Sequence, residues 1–186
     1  MSLFSMKHSK AAYRADFVLY GAAVLVLLAF LLQTERYGQW LEFSVLLGLG
    51  LVSWTLIEYA LHRFVMHGLQ PFSRWHAEHH QRPTALICTP TIISMLLIAT
   101  LVFLPVLLLS DNLWQACALT LGVVVGYLFY SVMHHATHHW RAESAWLKQR
   151  KRWHAQHHCN IVQPACFGVT SGFWDHVFRS SAQHRK

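Results

Sequence analysis

The sequence predicts an all-α integral membrane protein: a four-transmembrane-helix bundle with a cytoplasmic, helical, histidine-rich cap that holds a dimetal centre. Three observations predict it. Hydrophobic residues make up 54% of the 186 residues and charged residues only 12%, with a mean hydropathy of +0.31, whereas about a quarter of a typical soluble domain is charged. The apolar residues are gathered into four long runs. The chain also carries 15 histidines, of which all but His8 lie at or beyond the same-side ends of the second and fourth runs.

The runs are residues 17–33, 41–61, 86–110 and 113–133, the first two separated by a short polar turn at 34–39. Each is long enough to cross a hydrocarbon core of about 30 Å at 1.5 Å per residue. A cleaved signal peptide does not account for the first run, because no small-residue cleavage pattern follows it. Four buried helices of a soluble bundle would need far more polar outer faces. The four cysteines (Cys88, Cys117, Cys159 and Cys166) form no CxxC pair and are expected to be free thiols.

With four crossings, the N-terminus, residues 62–85 and the C-terminal segment share one side. That side carries every lysine and arginine except Arg36, so the positive-inside rule places it in the cytoplasm. The net charge of +7 therefore reflects membrane orientation, and a nucleic-acid partner is not expected. Residues 1–186 read as a single membrane-bound domain with cytoplasmic metal-binding segments at 62–85 and 134–178, in a bacterial inner membrane or the endoplasmic reticulum.

The phrase Arg-Trp-His-Ala-x-His-His occurs twice, at 74–80 and 152–158. Its i, i+3, i+4 spacing places three imidazoles on one helical face. The first copy contains His76, His79 and His80, preceded by His62 and His67 in "HRFVMH"; the second contains His154, His157 and His158. Between them, "HHATHH" pairs His134 with His138, one helical step round from His135 and His139. One such box is compatible with a solvated helix face. Two copies plus HxxxxH and HxxxH, all on one membrane side, point to metal, since imidazole is a good ligand for zinc, copper, iron and nickel. One ion takes roughly four to six ligands. The ten histidines His62, His67, His76, His79, His80, His134, His138, His154, His157 and His158 therefore imply two ions. Soluble di-iron bundles rely largely on Glu ligands, but here only Glu58, Glu78, Glu143 and Asp175 are near the boxes.

The stretches "EYALHRFVMH", "WHAEHH", "GYLFYSVMHHATHH", "WHAQHH" and "FGVTSGFWDHVF" resemble the fatty acid hydroxylase branch of the fatty acid hydroxylase/sterol desaturase superfamily. The likeness covers roughly residues 54–178, with the third and fourth spans matching only in length and apolarity. It implies that the ten histidines above are the metal ligands. Within "HHATHH", the family's Tyr-x-x-x-His-x-x-x-His pattern, counted from Tyr130, selects His134 and His138. His135 and His139 are then supporting residues, as are Glu58, Asp175 and Asn160, with Glu78 and Ser131 further candidates to orient ligand imidazoles. His176 matches no family ligand, and His8 and His184 lie in tails.

The resemblance further implies two iron ions, with zinc possible in purified material, and O2 as co-substrate. The implied reaction is hydroxylation of an unactivated C–H bond in a lipid, a fatty acyl chain above all, by a membrane-bound non-haem di-iron monooxygenase. The pattern departs from the branch in two ways: no cytochrome b5-like domain precedes the first span, and "HHQRPTALICTP" is shorter than the matching loop. No flavin, NAD, haem or iron–sulfur fingerprint is present, so electrons are expected from a separate cytochrome b5-, ferredoxin- or reductase-type protein. The competing readings are a hydroxylase or desaturase of sterols, carotenoids or other lipids, a b-type cytochrome, and a non-catalytic metal-binding membrane protein.

Overall fold

The computed structural model describes residues 9–34, 38–87, 89–159 and 163–182. Its helices among the described residues are α1 (Lys10–Gln33), α2 (Trp40–Met66), α3 (Phe72–Gln81), α4 (Thr91–Ser110), α5 (Leu113–His139), α6 (Ala145–Cys159) and α7 (Phe173–Val177). Four of them, α1, α2, α4 and α5, are long and apolar enough to cross a membrane. The all-helical class holds among the described residues.

The element ends differ from those expected, and local chemistry explains most of them. α1 starts at Lys10 instead of 17 because the Ser9 hydroxyl caps it, accepting from the Ala12 N–H at 3.2 Å. α4 starts at Thr91 and not at 86, because Pro90 holds an extended ψ of 129° and supplies no N–H to an earlier turn. Its π-helical stretch Ala99–Phe103 runs up to the turn containing Pro105, where the missing N–H disturbs the regular ladder. Asp111 ends α4 in the left-handed region at φ 48°. The Asn112 side chain then caps α5 by accepting from Gln115 N–H at 3.2 Å. α2 and α5 run past 61 and 133 to Met66 and His139, so His62 and the whole of "HHATHH" lie on the ends of long helices.

The chain divides into two compact units: residues 1–54 with 86–128, and 55–85 with 129–186. The first unit packs Leu31, Trp114, Cys117, Ala118 and Leu121 against Phe43, Leu46 and Leu47. Here α2 and α5 approach closely at two glycines. A Cβ on Gly50 would lie 2.2 Å from the Leu119 carbonyl oxygen, and one on Gly122 would lie 2.3 Å from that of Leu47, so only glycine lets the backbones meet. Several polar groups within this unit's helices pair with one another: Thr91 donates to Asp16 at 2.7 Å, Tyr20 to Ser94 at 2.8 Å, and Gln115 to Glu42 at 2.6 Å. Leucines elsewhere face outward, Leu109 being 88% exposed, which suits hydrocarbon and not water.

The second unit contains the ends of α2 and α5 with α3, α6, α7 and the segment between α6 and α7. Trp174 Nε1–H donates to Thr55 at 3.0 Å, and Tyr59 stacks on Phe178 with ring centres 5.4 Å apart. The described cysteines, Cys117, Cys159 and Cys166, are free thiols; Cys88 lies outside the described residues.

Candidate metal centre

All ten expected ligand histidines lie in the second unit, and their nearness begins with local helix geometry. On an α-helix, residues five apart stand about 140° from one another at 3.6 residues per turn. His62 and His67 nevertheless face one another, with ring centres 5.4 Å apart. The end of α2, Leu61–Met66, is π-helical, and the i→i+5 bonding of a π-helix brings residues five apart nearly into line. The HxxxxH spacing thus suits a π turn and not an α turn.

The histidines fall into two groups, each with its ligand nitrogens within 4.8 Å of one another: His62, His67, His76, His80 and His157, and His79, His134, His138 and His154. Each repeated box divides between the groups. On α3, His76 and His80 enter the first and His79 the second; on α6, His157 enters the first and His154 the second. His158 belongs to neither set. Its Nε2 lies 3.1 Å from His154 Nε2, and its ring stacks on His80 with centres 4.2 Å apart, so it stands beside both.

His135 and His139 lie outside the groups and stack on each other at 4.5 Å. Tyr130 stacks on His134 at 5.8 Å. Glu78 pairs with Arg82 at 3.8 Å on the outer side of α3, and Trp153 packs near His176, which is exposed. Asn160 lies outside the described residues, as do His8 and His184.

The donor set fits metal ions and does not fit mutual hydrogen bonding. A neutral imidazole has one N–H. His62 Nδ1–H donates to the Phe167 carbonyl at 2.6 Å and His157 Nδ1–H to the Ala165 carbonyl at 2.8 Å, which leaves a bare lone pair on each Nε2. Yet Nε2–Nε2 separations are 3.0 Å for His62–His76, 3.0 Å for His76–His80 and 3.1 Å for His67–His157. In the second group they are 3.1 Å for His79–His134 and 2.8 Å for His138–His154. Two imidazole nitrogens bound at right angles to one ion, each at about 2.1 Å, stand about 3.0 Å apart. The groups therefore have the spacing of ligands around an ion, and histidine-only donors suit zinc or iron.

Electrostatics favour the same state. Burial first, and neighbouring imidazoles second, hold His67 down to about 4, His79 to about 2 and His158 to about 3, with His76, His154 and His157 also well below the ordinary 6.5. Near neutral pH these rings carry no proton that a metal must displace.

Two residues that orient His62 and His157 were not legible in the sequence, because they act through backbone carbonyls. Ala165 and Phe167 accept from His157 and His62, and nothing in an alanine or phenylalanine side chain signals that. The carboxylates expected to support the histidines instead hold this loop. Asp175 accepts from the Phe167 and Gly168 N–H groups at 2.9 and 2.8 Å, and Glu58 from Val169 and Thr170 at 2.6 and 3.0 Å. The available cue was Gly168, where a Cβ would lie 1.9 Å from the Ser171 carbonyl oxygen.

The family model for fatty acid hydroxylase matches residues 47–180. The chain belongs to the fatty acid hydroxylase family. As a member, it is 32% identical over 148 residues to the dihydroceramide fatty acyl 2-hydroxylase FAH2 of Arabidopsis thaliana, covering 74% of this chain and 60% of that protein. It is 33% identical over 143 residues to the ceramide very long chain fatty acid hydroxylase scs7 of Schizosaccharomyces pombe, covering 70% of this chain and 40% of that protein. The fatty acid 2-hydroxylase of Mus musculus is 28% identical over 79% of this chain and 43% of its own length. The chain thus spans three-fifths or less of these relatives. Among solved structures, full-length scs7p, in which only the hydroxylase domain is visible, superposes with a TM-score of 0.82 at 26% identity. That match covers 100% of this chain and 72% of the other.

Proposed function

We propose that this family member is a membrane-bound, O2-dependent dimetal hydroxylase acting on a lipid acyl chain. The carrying observation is the pair of histidine groups whose bare nitrogens converge at ligand spacing. In this reading His62, His67, His76, His80 and His157 hold one ion, while His79, His134, His138 and His154, with His158, hold the other. The two ions are iron, and zinc can replace them in purified protein. Residues 1–186 act as one hydroxylase domain, in which both compact units take part.

Bound iron supplies the capacity to activate O2 and attack an unactivated C–H bond. The residues of this chain do the rest. Ten neutral imidazoles set the charge of the site without carboxylate ligands, and the Phe167 and Ala165 carbonyls hold the Nδ1 protons of His62 and His157 so that each Nε2 faces inward. The family and the names of the relatives support an acyl chain over a sterol or carotenoid, and carbon 2 as the position. Electrons arrive from a separate protein. A b-type cytochrome would instead pair histidines across a haem within the spans.

Lipid profiling of a host expressing the wild-type chain beside His157→Ala tests the reading. One acyl lipid is expected to gain a single oxygen, and the gain to vanish in the variant. Loss of two hydrogens would identify a desaturase instead, and identical profiles would reject the enzyme.

The distribution of lysine and arginine supports cytoplasmic termini and a cytoplasmic metal site. A cysteine at Asn112, in a chain cleared of its native cysteines, is expected to react with a membrane-impermeant maleimide added from the opposite side. Labelling only from the cytoplasm overturns the orientation.

A further inference from the structure

We propose that Asp175 is a positioning residue for one of the two metal sites, the five-histidine group, and acts on it through the backbone. The inference rests on the dimetal reading above and adds an asymmetry between the sites.

The peptide unit joining Phe167 to Gly168 is the connection. Its N–H donates to Asp175 Oδ2 at 2.8 Å, and its C=O accepts from His62 Nδ1–H at 2.6 Å. One planar group thus carries the carboxylate's influence to a ligand imidazole. A carboxylate on the N–H side polarises the amide and makes its carbonyl a stronger acceptor. A stronger acceptor fixes the ring's tautomer and orientation and raises the basicity of Nε2.

A second connection reaches His157. The Ala165–Cys166 peptide accepts from His157 Nδ1–H at 2.8 Å, and its N–H donates to the Ser180 carbonyl at 3.0 Å. Ser180 is held by Asp175 twice: its hydroxyl donates to Oδ1 at 2.7 Å and its N–H to the Asp175 carbonyl at 2.8 Å. Between the two peptides, Cys166 takes a left-handed φ of 58°, a conformation that a Cβ disfavours. The surrounding bonds must hold it.

Asp175 is 0% exposed and Glu58 4% exposed. Four consecutive backbone N–H groups, Phe167 to Thr170, all donate to these two carboxylates. A buried carboxylate is costly unless its oxygens are satisfied; here the loop satisfies them and is shaped by them. Among the described residues, the loop's hydrogen bonds to imidazole both end on the five-histidine group. Disturbing Asp175 therefore loosens that group before the other.

The test is metal content and release. Wild type, Asp175→Asn, Asp175→Ala and Gly168→Ala are purified in detergent, loaded with Co(II) and analysed for metal per chain. Release to excess EDTA and the Co(II) absorption bands are then followed. Gly168→Ala disturbs the same loop with the carboxylate intact. Wild type is expected to hold two ions. In Asp175→Ala and Gly168→Ala one ion is expected to release at the wild-type rate, and the other to release about 10–100-fold faster, so that metal content falls toward one ion after desalting. Asp175→Asn, which keeps one acceptor oxygen, is expected to lie between, so it serves even where the alanine variant fails to fold. Variants that keep both ions at wild-type release rates, or that lose both in parallel, overturn the proposal. Folded wild type holding fewer than two ions overturns the dimetal reading, and the inference falls with it.

Discussion

Alanine at His134 or His138 is expected to reduce product formation by more than about a hundredfold and to lower bound metal, whereas alanine at His135 retains both. Removing even a residue that only supports a ligand typically costs 10–100-fold in affinity or activity, so removing a ligand costs at least as much. The four histidines lie within six residues at the end of α5, and the helix's rotation of about 100° per residue separates the pairs. His134 Nε2 lies 3.1 Å from His79 Nε2, and His138 Nε2 lies 2.8 Å from His154 Nε2. His135 and His139 turn aside and stack on each other. Product formation and metal content of the four single variants decide the register. Loss of metal in His135→Ala with retention in His134→Ala would move the ligand set by one residue.

Acidification is expected to weaken the protein in a defined direction. In metal-free folded protein, burial and neighbouring imidazoles hold His67 down to about 4 and His158 to about 3, against an ordinary 6.5. The unfolded chain therefore binds more protons than the folded one below about 6.5, and stability falls as the pH falls. It is greatest above the ordinary imidazole value and declines progressively toward the folded values. The thermal midpoint of metal-stripped protein should drop between about pH 7.5 and about pH 5. Metal-loaded protein should release its ions over the same interval, since protons compete for the same nitrogens. A midpoint independent of pH across that interval would contradict the buried, neutral state of the cluster.

The sequence by itself determined the four apolar helices, the membrane-side charge bias and the histidine boxes with their spacing. These are local quantities: run length, charge and helical period can be read without knowing what packs against what. The recurrence of HxxHH also pointed to α3 and α6 as carriers of matching histidine sets. What remained to the tertiary structure was the division of labour. Each box splits between two groups, because His76 and His79 stand on one helix face but converge with different partners from α2, α5 and α6. The HxxxxH spacing did not reveal how its two rings meet: only the π turn at Leu61–Met66 brings His62 face to face with His67. The supports of His62 and His157 were hidden most completely. They are main-chain carbonyls of Ala165 and Phe167, and every residue has a carbonyl. Which one accepts a given imidazole proton is decided by the folded path of the loop, held from across the unit by Glu58 and from beyond the next turn by Asp175.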